Sequence, residues 1–207
     1  MKFHHLRSAL RELRNLPAIN KAIAETRNTQ APITLSGWFI QKVLGANREA
    51  YWPTHFTSKV GCVHNILAGI QSAPGLSPGC YIQGLGKIYI GDYTMIAANV
   101  GIISANHDVY DHRRHSPGEV RIGRYCWIGI NSSILPGTNL GDFTVVGAGS
   151  VVNKSFPEGY CVIAGSPARV IRKLDRGDCV AYRDEHEYYG YIPAAAFPAF
   201  RARHLRV

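Results

Sequence analysis

Residues 122–169 read IGRYCWIGINSSILPGTNLGDFTVVGAGSVVNKSFPEGYCVIAGSPAR. Taken in sixes, the stretch opens on Ile122, Ile128, Ile134, Leu140, Val146 and Val152, an aliphatic residue each time, usually followed by Gly. The fifth place holds Cys126, Ser132, Thr138, Thr144, Ser150 and Phe156, small or hydroxylated in all but the last. A short fixed period is the mark of a solenoid, and a period of six that of a parallel β-helix. Strands alternating at two, or helices at 3.6, would not keep this phase. Each six supplies one short strand and one turn. The opener faces the inside of a prism, Gly admits the turn, and the small fifth residue fits where one coil packs on the next. No coil buries its apolar side alone, so the coils must stack.

The same period continues upstream in Ile90-Gly91 with Thr94, Ile96-Ala97 with Val100, and Ile102-Ile103; Val60-Gly61 and Ile66-Leu67 fall into it as well. The openers from Ile122 onward stand two residues out of that phase. An insertion that is not a whole number of repeats therefore lies between Ile102 and Ile122. Asn106 to Gly118 is polar, ends in a Pro-Gly turn signal, and reads as a loop thrown out of the prism. Inserted loops gather on a functional face. Ala73 to Gly79 is a second, turn-rich excursion among irregular first coils.

The whole chain has 207 residues, 46% hydrophobic and 18% charged, which describes a globular, foldable chain. No run approaches the ~20 apolar residues of a membrane span, and His4, His5, Arg7, Arg11, Glu12 and Arg14 interrupt any signal-peptide core. A cytoplasmic protein without a transmembrane segment is expected. The cysteines, Cys62, Cys80, Cys126, Cys161 and Cys179, are odd in number and form no C-x-x-C pair, so neither a disulfide framework nor a zinc knuckle is suggested. Cys126 reads as a buried small residue. The net charge is +9, with Lys2, Arg7, Arg11, Arg14, Lys21 and Arg27 at one end and Arg201, Arg203 and Arg206 at the other. Basic faces attract polyanions, but no nucleic-acid fold or aromatic stacking set accompanies these charges, and no nucleic-acid partner is expected.

Residues 3–14 and 18–27 have helical composition with Pro17 between them, and 31–44 reads as a third helix with Trp38, Phe39, Val43 and Leu44 as its apolar face. Packed on one end of the prism, these helices would cover its open strand edges. From Asp175 a segment with Tyr182, Tyr188, Tyr189 and Tyr191 is expected to run as a helix over a neighbour, with residues 194–207 loosely ordered. The expected divisions are residues 1–55, an N-terminal helical region; 56–174, the solenoid with a loop at 108–119; and 175–207, a C-terminal extension.

Cys126-Trp127-Ile128-Gly129, Ile134-Leu135-Pro136-Gly137, Val146 to Lys154 and Ala164 to Arg169, in that order, resemble the late block of the hexapeptide-repeat acyltransferases. The nearest branch is that of the maltose and galactoside O-acetyltransferases and the polysaccharide O-acetyltransferases. The resemblance covers roughly residues 60–174, and several separate blocks in the family's order make it specific. It implies an all-β solenoid of the left-handed parallel β-helix kind. The hand comes from the resemblance alone, since most parallel crossovers are right-handed. It also implies acetyl-coenzyme A as acyl donor, a saccharide acceptor, no metal, and a homotrimer whose active sites lie between subunits.

The resemblance makes His107 the general base. An alcohol is a poor nucleophile at neutral pH, and an imidazole, titrating near about 6.5, can take its proton as it attacks a thioester. Thiolate leaves well, so no covalent enzyme intermediate is needed. A base needs an orienting partner on its other nitrogen; Asp108, Asp111 or a backbone carbonyl would serve. Gln83, Asp108 and Trp127 are candidate acceptor contacts, with Arg113 and Arg114 suited to an anionic acceptor. Trp127 also resembles the family's wall beside the pantetheine arm. Ala148 and Gly149 are small where that arm lies. Asn153 and Lys154 stand at the family's Thr-Lys position, Asn153 departing from it. Gly165 and Ser166 line the last coil, and Arg169 and Arg172 match the arginines that meet the nucleotide phosphates, by charge and fork geometry. The Ser that assists the thioester carbonyl in the family is Ile130 here, which leaves a backbone N–H from Gly129 to Asn131 for the oxyanion.

Three other readings compete. An N-acetyltransferase of an amino sugar or antibiotic uses the same base and thioester. A metal enzyme of the γ-carbonic anhydrase type would join His107 and His112 to a third histidine, for which His64 is the candidate. A non-catalytic scaffold would not need the ordered set Lys154, Arg169 and Arg172.

Overall fold

In the computed structural model, which describes residues 16–207, the period of six becomes a three-faced stack of parallel strands. One face carries Lys59–Gly61, Tyr81–Gln83, Gly101–Ile103, Ser133–Ile134 and Val151–Val152. The second carries Ile66–Ala68, Lys87–Ile90, Glu119–Ile122 and Asn139–Leu140. The third carries Met95–Ile96, Trp127–Ile128, Thr144–Val146 and Cys161–Gly165. The chain visits the faces in turn, so each strand pairs with the one a full coil away.

Register stacks the openers into inward columns: Ile90 on Ile122 on Leu140, Ile96 on Ile128 on Val146 on Ile163, and Ile82 on Ile102 on Ile134. All of these side chains are buried, and so are the fifth-place residues. The hydroxyls at the fifth place satisfy turn carbonyls: Ser150 Oγ donates to Gly147 O at 2.6 Å and Thr144 Oγ1 to Gly141 O at 2.7 Å. The second place needs Gly for space. A Cβ on Gly129 would stand 2.6 Å from Val146 O in the next coil.

The first coils correct one sequence expectation. Val60 pairs with Ile82 and holds an opener column, but Ile90 pairs with Ala68, not Ile66. Ile66 lies two residues before the opener and also faces inward, because strand side chains alternate. Apolar residues at both inward places of one strand make the phase of six ambiguous there.

The insertion is not an irregular loop. Ala105–His107 and His115–Pro117 pair antiparallel as a two-stranded ribbon, leaving the corner between the first and second faces. Its root is tied down: Ala105 N donates to Gln83 Oε1 at 2.9 Å and Gly118 N to Ser104 O at 2.7 Å. Glu119, expected in the loop, already belongs to the returning strand.

The helix expected at 3–14 lies outside the described residues. The next runs Leu16–Thr26, so Pro17 sits in its first turn, where a missing N–H costs nothing. The third is shorter than expected. It is α-helical only over Leu35–Trp38 and widens to a π-helix over Phe39–Leu44, closed by Gly45 at φ 100°. Its expected apolar face is only partly buried. Trp38 is inside, but Phe39 and Leu44 are exposed and Gln41 is buried in their place. Gln41 explains the inversion: Nε2 donates to Trp52 O, while Oε1 accepts from Thr54 N and the Tyr191 hydroxyl.

The C-terminal segment packs on its own chain as an irregular strap rather than the expected helix, and residues 194–207 are not loose. At the corner between the second and third faces, Tyr93, Tyr125, Phe143 and Tyr160 stack in a column with centroids 4.9–5.4 Å apart. All four adopt positive φ, from 46° to 56°. The strain of a left-handed non-Gly residue, of order 1–3 kcal/mol, is offset by ring stacking of ~0.5–1.5 kcal/mol per pair. An irregular strap crosses this column from the last coil to the first. Arg176 covers Tyr160, Tyr125 Oη donates to Tyr182 O, and Asp184 N donates to Tyr93 Oη. A small hairpin, Tyr188–Tyr189 with Ile192–Pro193, and the helix Phe197–His204 then close the first coil, where Phe197 and Phe200 pack on Tyr51. Ala31, Tyr51, Trp52 and Phe197 share one core with the solenoid columns.

Candidate functional site

His107 ends the outgoing strand of the ribbon with its ring in solvent. Its Nδ1 lies 2.6 Å from His112 O. A carbonyl only accepts, so Nδ1 carries the proton and Nε2 is left with a lone pair. Of the partners expected for this ring, Asp108, Asp111 or a backbone carbonyl, it is the carbonyl that it meets. The ring of His115, paired with His107 across the ribbon, packs at 4.3 Å between centroids.

The two aspartates do other work. Asp108 Oδ1 accepts from Tyr110 N at 2.8 Å and Asp111 N at 2.9 Å, which builds the ribbon's tip. The Asp111 N–H first, then the Tyr110 N–H, hold the Asp108 carboxyl below its ordinary value. Asp111 pairs with Arg113 and Arg114, and the Arg113 side chain lowers its pKa. Gln83 holds the ribbon's root through its amide oxygen.

Trp127 stands on the third face, a different side of the prism, with 52% of its surface exposed. Cross-strand register places Met95, Trp127, Val145, Val162 and Arg172 in one outward row. Three coil steps of ~4.8 Å separate Trp127 from Arg172, about 14 Å in all. Sequence reading missed Val145 and Val162 because it treated outward positions as plain surface; their spacing from Trp127 in the repeat was the available signal.

The row ends in a device the sequence did not reveal. Ala168–Lys173 runs antiparallel on Cys161–Gly165, with Ala164 opposite Arg169 and Val162 opposite Arg172. Residues three apart in a regular strand face opposite ways. A bulge opposite the Val162–Ile163 step inserts Ile171, and both arginines then face outward. No ion pair of Arg169 or Arg172 is present among the described residues.

Ala148, Gly149, Gly165 and Ser166 gather at the corner where the chain passes from the third face toward the first. Gly149, at φ 69°, has open space where a Cβ would lie. Asn153 and Lys154 leave the first face one corner further on, Lys154 Nζ standing 5.5 Å from the centre of the Phe156 ring. Among the backbone donors considered for an oxyanion, Gly129 N is committed to Val146 O and Asn131 N to Ala98 O. Only the Ile130 N–H keeps no partner among the described residues, and its side chain is exposed.

Cys126 is buried, and burial raises its thiol to about 12, as its place in the repeat suggested. Among the described residues no group of three His, Cys, Asp or Glu side chains could hold a metal ion, so His64, His107 and His112 are not brought together. No helix among the described residues is long and apolar enough to cross a membrane.

Residues 119–154 match the family described as bacterial transferase hexapeptide (six repeats). Galactoside O-acetyltransferase of Escherichia coli (strain K12) is 39% identical over 107 residues, which cover 49% of each chain. The structure of a galactoside acetyltransferase in complex with coenzyme A aligns with a TM-score of 0.58 at 26% identity, over 86% of this chain and 88% of that one. A maltose O-acetyltransferase from Clostridium difficile 630 aligns with a TM-score of 0.55 at 27% identity, over 79% and 88%. The chain spans about half the length of the curated relatives it matches.

Proposed function

We propose that the chain is a hexapeptide-repeat transferase, as the match over residues 119–154 supports, and that it moves an acetyl group from acetyl-coenzyme A to a hydroxyl of a sugar or surface polysaccharide. The observation that carries this reading is the exposed His107 ring, its Nδ1 proton held by a carbonyl and its Nε2 free to accept. Nε2 takes the proton of the acceptor hydroxyl as its oxygen bonds to the thioester carbon. Charge gathers on the carbonyl oxygen, for which the Ile130 N–H is the available backbone donor. The carbon–sulfur bond then breaks, and the proton on Nε2 passes to the leaving thiolate.

The outward row on the third face suits the acyl donor. Met95, Trp127, Val145 and Val162 offer an apolar track for the pantetheine arm beside Ala148, Gly149, Gly165 and Ser166. Arg169 and Arg172, with Lys154 and Asn153 one corner away, suit the nucleotide phosphates. His107 and Trp127 lie on different sides of one prism. That separation supports a homotrimer in which His107 of one copy meets Trp127 of the next, with left-handed coils as the family resemblance implies. In this reading residues 56–174 are the catalytic unit, 16–55 and 175–207 its caps, and the activity is cytoplasmic.

The test is calorimetry of acetyl-coenzyme A with wild type and His107→Ala, alongside thiol release with a panel of sugars. Both proteins are expected to bind the donor. Acceptor-dependent release should fall by about 10²–10⁴-fold in the variant. Donor binding by neither protein rules the reading out.

A further inference from the structure

The tip of the ribbon holds two apolar side chains in water. Tyr110 is 97% exposed and Val109 76%, more than any other large apolar residue among the described ones. Their presentation is built by the backbone. Asp108 Oδ1 accepts from Tyr110 N and Asp111 N, Asp108 N donates to Arg114 O at 3.0 Å, and Arg114 N donates to Asp111 O at 2.9 Å. Single apolar residues scattered over a surface need no account. An adjacent pair, held out on a fastened tip three residues past His107, calls for a surface to receive it.

A hollow of matching character lies on the third face. A cavity of about 250 Å³ beside Trp127 is lined by apolar Leu76 and Met95 and by polar Gln30, Gln71, Ser77 and Thr94. It is smaller than the usual ~300–1,000 Å³ of a ligand cleft, so it suits one side chain rather than a whole ligand. Mixed walls suit tyrosine, which has an apolar body and a polar tip. Tyr110 does not face the cavity of its own chain, because the ribbon leaves the corner between the first and second faces.

The cavity of a neighbouring copy is within reach. The ribbon follows Gly101–Ile103, and Trp127 stands on the same coil. A threefold axis running along the prism therefore sets the ribbon of one copy level with Trp127 of the next. Met95, on the cavity wall, is one coil step of ~4.8 Å from Trp127. Three residues of extended chain span ~10 Å, so the tip covers that step while His107 stays beside Trp127.

We infer that Tyr110 of one copy fills the cavity beside Trp127 of the next, and that this docking sets His107 at the neighbour's face. The contact is continuous with the His107–Trp127 pairing proposed above and rests on it. The test has two parts. Wild type and Tyr110→Ala are compared by analytical ultracentrifugation over a dilution series. Tyr110→Cys/Met95→Cys is treated with a short bis-maleimide about as long as the lost ring, with each single variant as a control for the half-buried Cys62 and Cys179. Wild type should sediment as a trimer, and Tyr110→Ala should dissociate at a concentration about tenfold higher or more, since each copy loses one buried aromatic ring. The double variant should give cross-linked species of up to three chains that neither single variant gives. A Tyr110→Ala trimer as stable as wild type, or a double variant that cross-links only within one chain or not at all, overturns the docking and leaves the pairing and acetyl transfer standing. A monomeric wild type that still releases thiol with a sugar overturns the docking and the pairing together.

Discussion

Asp108 shows how much a single side chain next to His107 contributes by shaping backbone. Its carboxylate receives two N–H groups at the ribbon's tip, and those donors lower its pKa from an ordinary 3.8. A depressed folded pKa stabilises at pH above the unfolded value and is lost as pH falls through the folded one. The tip should therefore hold across neutral pH and loosen only below about pH 4. Asp108→Asn keeps an accepting oxygen and should retain kcat within roughly threefold, whereas Asp108→Ala should lose about tenfold or more, as an unmade turn hydrogen bond implies. Steady-state kinetics check both. A large rise in acceptor KM for the Asn variant would instead place the Asp108 charge on the substrate.

At this scale the repeat made much of the chain legible. Ile122, Ile128 and Ile134 announce their burial because one column accepts only one kind of residue. Cys126 is inert for the same reason. Gln41 was not legible, since a polar residue inside depends on partners brought from Trp52, Thr54 and Tyr191, the last far away in sequence.

Among the elements, the strand Ala168–Lys173 has the sharpest consequence. Ile171 puts Arg172 on the same side as Arg169. Deleting Ile171 should turn Arg172 inward and weaken coenzyme A binding about 10–100-fold, the range of a lost charge-assisted contact. Arg172→Ala should fall in the same range by calorimetry. Unchanged affinity in both proteins would remove this strand from the donor site. The motif made Arg169 and Arg172 recognisable, but the bulge was invisible because it belongs to pairing, not to composition. The ribbon is a middle case. The slip of two in the phase of six located it, while its antiparallel pairing through His107 and His115 left no periodic trace. The aromatic column did leave a trace that went unused: Tyr93, Tyr125 and Phe143 each stand three residues after an opener, at Ile90, Ile122 and Leu140.

For the whole molecule, the strap joins the last coil to the first along that column. Removing residues 175–207 uncovers Tyr51, the aromatic column and the edge of the first coil. The loss should exceed about 3 kcal/mol, since burying one large apolar side chain is worth ~1.5–3 kcal/mol and Tyr188, Phe197 and Phe200 all leave. A lower melting temperature and self-association by light scattering are expected, as open strand edges pair with one another. A truncated protein that melts with the full chain would show the strap to be decoration. Little of this arrangement could be read from the sequence, because the strap follows no period and its partners lie up to 163 residues away.

The strap also sets an order of events during synthesis. Chains emerge from the ribosome at about 5–20 residues per second, N-terminal part first. The first coil leaves early, but Tyr188 and Phe197, which close it, are made after every other coil has been translated. For that interval the earliest strands carry an uncovered edge in a crowded cell, and each copy is sealed only when its own tail arrives.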